Sequence, residues 1–314
     1  MRFGVAINSS FIAGKSLEAR GQQLRRMAMA AEALGYESIW VPDRTVFPED
    51  IAVRYPQFGP AGQIPDSQQV LEPLTSMSFL AGSTGTIKLG FNVVILPFRN
   101  PVLNAKMIST LDVLSGGRVI FGVGVGWMPE EFEAMGASWE DRGTVTDEHI
   151  EMFKALCADG VAEYQGKHFS TSGKIFYPKP LQRPHPPIWV GGRSRIALRR
   201  VARLGHGWLP IGNTPDEIAK GGWYLRQQCE VLGRDPRTVE IGLNISPTFG
   251  EPQTSPEGDH IPLTGSVEQV KDDVRRYREV GLDFMLLSTT RMDAGPAIEA
   301  LRRFADEVAP EFSE

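Results

Sequence analysis

A closed (β/α)8 barrel, an α/β fold, is the architecture this sequence predicts, and three observations predict it. Segments of period-two alternation are each followed by a segment with apolar residues at helical spacing, eight such pairs run from Arg2 to Val308, and no linker divides the chain. Strict β-then-α alternation implies a parallel sheet, and eight units are the number that closes it. At 314 residues the chain exceeds an ordinary domain, but closed barrels reach this size as one unit, so residues 1–314 are expected to form a single domain.

The elements follow in order. Arg2 to Asn8 alternate as a first strand; Leu24, Met27, Ala28, Ala31 and Leu34 mark a helix that Gly35 caps. Glu37 to Val41 form the second strand, ending at Pro42, Asp43 and Arg44. Val46 to Gln69 carry four prolines and two glycines with little periodicity, too long for a plain connection. Arg54, Tyr55 and Phe58 within it favour a lid over a disordered linker, which would lack aromatics. A helix over Pro73 to Ala81, a strand over Ile87 to Leu96 and a helix from Pro101, with its proline in the first turn, come next.

Arg118 to Gly126 form the fourth strand. Val119, Phe121, Val123 and Val125 share one face, while Ile120, Gly122, Gly124 and Gly126 share the other. Three glycines in register mean that something approaches that face closely, either a ligand or a neighbouring element of the chain. Helices over Pro129 to Met135 and Thr144 to Ala158 follow, then a hairpin over Val161 to Tyr177 with Gly166 and Gly173 as turn residues and His168 as a packing or capping residue. Strands at Pro187 to Gly192, Gly207 to Ile211, Val239 to Ser246 and Asp283 to Ser288 alternate with helices at Ile196 to Leu204, Thr214 to Leu232, Ser266 to Val280 and Ala294 to Val308. Pro247 to Pro262 is a second long loop after a strand.

Composition bounds the function. Hydrophobic residues make up 41% and charged residues 23%, ordinary for a globular protein, and a net charge of -5 argues against nucleic-acid or anionic-membrane partners. No apolar run reaches the length of a membrane helix, and the N-terminus lacks the apolar core of a signal peptide. Two cysteines, Cys157 and Cys229, fit a reduced compartment, and a cytoplasmic location is expected. The five histidines are scattered without metal-ligand spacing, and no nucleophile elbow is present.

In a barrel of this kind the loops after the strands carry function. Candidates are therefore Asn8, Asp43 with Arg44, Val93 to Pro97, Gly124 to Trp127, Gly191 to Ser194, Ile211 to Asn213, Ser246 and Ser288. Trp189, Val190, Gly191, Gly192, Arg193 and Ser194 read as a strand, two glycines and a helix start. That is either an anion cradle, with helix N–H groups pointing at a phosphate, or a tight turn. Arg195, Arg199, Arg200 and Arg203 are read as a solvated helix face, which leaves Arg193 for the phosphate. A pocket with so few acids, bases and nucleophiles points to a cofactor that carries the hard step.

Taken together, GYESIWVPD, LPFRNPVLNAK, SGGRVIFGVGVGWMPEEFEAMG and PPIWVGGRSRIALRRVARLGHGWLP resemble the luciferase-like monooxygenase superfamily, and within it the coenzyme F420-dependent oxidoreductases. The resemblance implies a barrel that binds F420, or alternatively FMN, with the ring over Gly124, Val125 and Gly126 and the phosphate at Gly191, Gly192, Arg193 and Ser194. It implies a non-proline cis peptide within Asn92 to Ile95, at Val93 and Val94. It also implies a homodimer through the helices after the second and third strands, a small organic substrate and a separate cofactor reductase.

Two departures bear on activity. Arg44 stands where relatives that oxidise alcohols have histidine after aspartate, and Trp127 stands where some have a glutamate proton donor. Arginine stays protonated and cannot act as a base. Arg44 is then either a donor to developing negative charge or the partner of Asp43 or Asp66, and Trp127 either walls the pocket or packs in the core. His206 is read as structural. Three functions follow: F420-dependent hydride transfer, a two-component FMN monooxygenase, and a non-catalytic flavin-binding subunit.

Overall fold

A computed structural model describes residues 1–7, 17–55, 70–288 and 293–312. Asn8, Phe58 and Asp66 lie outside the described residues. The strands are β1 (Arg2–Ala6), β2 (Ser38–Val41), β3 (Lys88–Phe91), β4 (Val94–Ile95), β5 (Val119–Gly124), β6 (Val161–Gln165), β7 (Ser170–Ile175), β8 (Ile188–Gly191), β9 (Gly207–Leu209), β10 (Glu240–Ile245), β11 (Thr248–Phe249), β12 (Thr264–Gly265) and β13 (Phe284–Ser288). The helices are α1 (Leu17–Ala33), α2 (Ile51–Arg54), α3 (Pro73–Ala81), α4 (Pro101–Ser115), α5 (Pro129–Ala134), α6 (Arg142–Cys157), α7 (Arg195–Leu204), α8 (Pro215–Val231), α9 (Val267–Glu279) and α10 (Ala294–Glu307).

All barrel pairings are parallel, in the order β3, β2, β1, β13, β10, β9, β8, β5, β4, and β3 also pairs with β5, which closes the ring. Because β3 and β4 share one stave, the nine strands make the eight-stave barrel that the alternation predicts. Helix starts are set locally. Asn100 accepts from the amides of Val102 and Leu103 with Pro101 in the first turn, and Thr214 with Glu217 and Ser266 with Gln269 form capping boxes.

Two cores result. Val119, Phe121 and Val123 face outward into the layer between barrel and helices, while Ala6, Trp40, Ile120, Trp189, Leu209, Phe284 and Leu286 fill the barrel. Trp40 and Trp189 meet edge to face at 5.7 Å, and Trp189 meets Phe284 at 5.4 Å. Three such rings fit because neighbouring staves carry glycine: a Cβ at Gly90 would lie 2.3 Å from Trp40, and one at Gly207 2.3 Å from Trp189. This aromatic plug closes the barrel below its C-terminal mouth.

Several expectations are corrected. The strand expected over Ile87 to Leu96 is broken into β3 and β4 at Asn92 and Val93, whose connecting peptide bond is cis, one bond before the position expected. β5 ends at Gly124, and Gly126 adopts φ of 76°, so the alternation stops and Val125 lines the mouth instead of the helix layer. Gly173 is not in the hairpin turn; it lies inside β7, across from a register shift between Ala162 and Tyr164. The loop from Val46 contains α2, and the second long loop is anchored by β11 against β12. His168 accepts or donates at Thr144 Oγ1 (3.1 Å) in the hairpin layer.

Entry into β3 depends on one distant side chain. Glu32, at the end of α1, accepts from the amides of Gly85 (2.9 Å), Thr86 (2.6 Å) and Ile87 (3.0 Å). Burial pushes its carboxyl up, but the three amides and the Thr86 hydroxyl outweigh it and bring it down from 4.5 to about 2. A lowered folded value means stability present above pH 4.5 and lost as pH falls toward 2. Glu32→Gln is therefore expected to lower the urea midpoint at pH 7 and to flatten the loss between pH 4.5 and about 2, read from urea unfolding at stepped pH.

Candidate active site

A cavity of about 610 Å³ opens at the C-terminal mouth, and every stave contributes to it: Ala6, Trp40, Val93, Gly124, Gly191, Leu209, Asn244 and Ser288, among others. Trp40 and Leu209 are its floor, the upper surface of the aromatic plug. Among the described residues that line it, only Asp43 and Arg44 are ionisable.

Asp43 follows β2 and is 5% exposed. Its Oδ2 accepts from the Ile95 amide (2.9 Å) and from Arg99 (2.8 Å), and Arg99 also reaches Glu72 at 3.3 Å. Oδ1 is buried without a donor among the described residues. Burial pushes the Asp43 carboxyl up, with Arg99 and the Ile95 amide opposing.

Arg44 pairs with Glu131 of α5 and not with Asp43, one of the two partners expected; the other, Asp66, lies outside the described residues. Glu131 has no exposure, and its other oxygen accepts from the Thr45 amide at 2.9 Å. Burial pushes Glu131 up against the pull of Arg44. The Arg44 guanidinium also lies 4.3 Å from the ring centre of Trp127, so the indole is a wall of the mouth and 41% exposed. Tyr55 stacks on Trp127 edge to face at 5.0 Å and donates to Glu130 (3.0 Å), which also pairs with Arg54 at 2.9 Å. The first part of the long loop is thus clasped to α5.

The glycine face of β5 points inward, but much of what approaches it is the chain itself. A Cβ at Gly122 would lie 1.6 Å from the Phe91 carbonyl oxygen, and one at Gly124 2.4 Å from Val93. The break between β3 and β4 thrusts Phe91 and Val93 against β5, and that fills the strip expected to be bare at Gly122. Gly124, Val125 and Gly126 still line the cavity.

Across the mouth, Gly191 and Gly192 line the cavity at the start of α7. Gly192 has φ of 110°, and Ser194 is the helix N-cap, accepting from Ala197 at 3.2 Å. Arg193 is not in this cavity. Its side chain turns to the outer side of the barrel, beside α8. Val94 and Val190 are buried in the layer under the helices and are not part of the lining of this cavity. Arg200 is not solvated: it is 5% exposed and tied to Asp147 and to the Gly143 carbonyl (3.0 Å) of α6. His206 sits at the opposite end, accepting from the Ile188 amide at 3.2 Å, and burial beside His185 and Lys154 lowers it to about 4.

Sequence reasoning missed Glu131 and Arg99. The first resembles an ordinary acidic residue in a first helical turn, and the second an ordinary loop arginine. Their partners lie 87 and 56 residues away. The only local hint is Arg99 set directly after the apolar run LPF.

A parallel eight-stave barrel with a largely apolar cavity at its C-terminal mouth is an enzyme scaffold. The chain matches the luciferase-like monooxygenase family over residues 1–279 and belongs to it. It is an oxidoreductase. An uncharacterized protein of Mycobacterium tuberculosis is 36% identical over 194 residues, 61% of this chain and 66% of that protein. The FMNH2-dependent dimethylsulfone monooxygenase of Pseudomonas putida is 30% identical over 187 residues, 59% of this chain and 50% of that protein. Among solved structures, monooxygenase RslO1 of Streptomyces bottropensis superposes with a TM-score of 0.81 at 20% identity over 100% of both chains. The coenzyme F420-dependent tetrahydromethanopterin reductase of Methanopyrus kandleri does so with 0.77 at 17% over 99% of both. These structural likenesses establish the shared fold.

Proposed function

We propose that this chain is a one-domain oxidoreductase that passes a hydride between coenzyme F420 and a small apolar or conjugated organic substrate. The observation that carries the reading is the make-up of the cavity: among the described residues, one carboxylate and one guanidinium in walls that are otherwise backbone, apolar side chains and the uncharged polar Asn92, Asn244, Ser246 and Ser288. Such walls bind and orient a reacting pair but supply little chemistry of their own. Bound F420 would supply the hydride acceptor and donor.

The residues present suit that cofactor. Asp43 Oδ1 is a buried acceptor with capacity to spare, matched to a ring N–H. Gly124 to Gly126 on one side and Gly191 with Gly192 on the other leave main chain at the wall, and the start of α7 offers N–H groups to a phosphate. Arg44, held by Glu131, is a fixed positive charge for a reduced ring or a substrate oxygen. Trp127, Phe47 and Ile245 make an apolar berth for the substrate.

A second reading, an FMN monooxygenase served by a separate reductase, is favoured by the likeness to the dimethylsulfone enzyme. In either reading the protein works in the cytoplasm as a homodimer through α3 and α4, whose Phe79, Leu103 and Leu114 are exposed. Equilibrium titration with F420 and with FMN, followed by absorbance, separates the two. F420 is expected to bind at least about tenfold more tightly, a difference of roughly 1.4 kcal/mol. The reverse order supports the second reading, and failure of both to bind sinks the cofactor assignment.

A further inference from the structure

A second cavity, of about 660 Å³, lies outside the barrel between α7 and α8. Its floor is Trp208 of β9, whose indole is 1% exposed. Helix α8 comes down on this ring so closely that a Cβ at Gly221 would lie 2.2 Å from it. The same turn carries Trp223, 61% exposed, and Tyr224, whose ring centre is 5.4 Å from the Arg195 guanidinium.

Charge in this cavity is one-sided. Arg193, Arg195 and Lys220 line it against a single carboxylate, Glu217, whose oxygen is already engaged by the Thr214 amide at 2.9 Å in the α8 capping box. Among the described residues neither Arg193 nor Lys220 has a carboxylate partner. Like charges grouped around a concavity concentrate a positive potential, and flat aromatic walls favour a conjugated guest over a compact ion.

We propose that the cavity between α7 and α8 is a binding site for a small planar organic anion, with an aromatic carboxylate as its chemical class. The arene packs against Trp223 and Tyr224, above the buried Trp208, and the carboxylate meets Arg193, Arg195 and Lys220. The site is built independently of the mouth cavity and does not rest on the hydride-transfer reading. It does touch the mouth: Trp208 Nε1 donates to the Gly192 carbonyl at 2.7 Å, and Gly192 lines that cavity. Occupancy therefore bears on the residue that shapes the start of α7.

The test is calorimetric titration of the cofactor-free full chain with 2-naphthoate and with the uncharged 2-naphthamide. The expected result is saturable binding of the carboxylate, with the amide at least about tenfold weaker, as loss of a charge contact implies. Trp223→Ala and Lys220→Glu alter exposed side chains, and circular dichroism checks that both variants fold. Each is expected to weaken 2-naphthoate binding, Trp223→Ala by about tenfold or more, in line with loss of an aromatic wall. Trp127→Ala, at the mouth, is expected to leave this binding unchanged. Equal affinity for the amide, no saturation up to about 10 mM (well beyond ordinary ligand affinities), or a loss that follows Trp127→Ala and not Trp223→Ala would each overturn the proposal.

Discussion

Gly122→Ala is expected to leave little folded protein. The added methyl would have to occupy a point 1.6 Å from the Phe91 carbonyl oxygen and 3.2 Å from the Trp40 ring. Both neighbours are held: Phe91 ends β3 at the break in the third stave, and Trp40 is part of the plug. Relief therefore means moving main chain and not rotating a side chain, and the cost is expected to exceed about 4 kcal/mol, beyond ordinary overpacking. Soluble yield and the urea midpoint are the readouts. Gly124→Ala makes the contrast, because its methyl meets only the Val93 side chain, at 2.4 Å. That variant is expected to fold and to lose cofactor affinity as Val93 is pushed into the cavity. A Gly122→Ala protein with a near wild-type midpoint would refute this account of the third and fourth staves.

The second large effect is expected at Arg44. Removing the guanidinium leaves Glu131 charged, buried and without its cation, and breaking a buried pair in this way costs about 3–5 kcal/mol. Because burial already pushes the Glu131 carboxyl up, the penalty of Arg44→Ala should shrink at low pH, as the carboxyl takes a proton. The double variant Arg44→Met with Glu131→Gln removes both charges and is expected to recover most of the stability. Turnover separates a structural arginine from a working one. If Arg44 acts on the reacting pair, the stable double variant should remain roughly 100-fold or more slower, the usual effect of deleting one positioned donor. Recovery of turnover along with stability would assign Arg44 to the architecture alone.

The barrel was legible because its signals are local. Alternation, helical spacing, Pro101 in a first turn and Gly35 as a cap each act within a few residues, and the eight pairs then leave one closed solution. The inward turn of Gly122 and Gly124 also follows from period two. What lies against them does not: the approach of Phe91 and Val93 depends on how two staves meet, and no spacing within either one encodes it. The same holds for the acids of the mouth. PEEF reads as a short surface helix with an acidic first turn, and nothing in it distinguishes Glu130, which meets the loop, from Glu131, which has no exposure at all. Arg193 shows the converse error. Its place next to two glycines reads as a phosphate ligand, but its side chain lines the outer cavity beside α8.

The six residues of α5 fasten the segment from Arg44 to Tyr55 with two clips of unequal depth. Glu131 grips Arg44 away from water, and Glu130 holds Arg54, which is half exposed. Dissolved ions screen the outer clip and scarcely touch the inner one. Salt should therefore free the outer end of this flap while its root stays pinned, so that traffic through the mouth speeds up with ionic strength and the walls beneath it keep their shape.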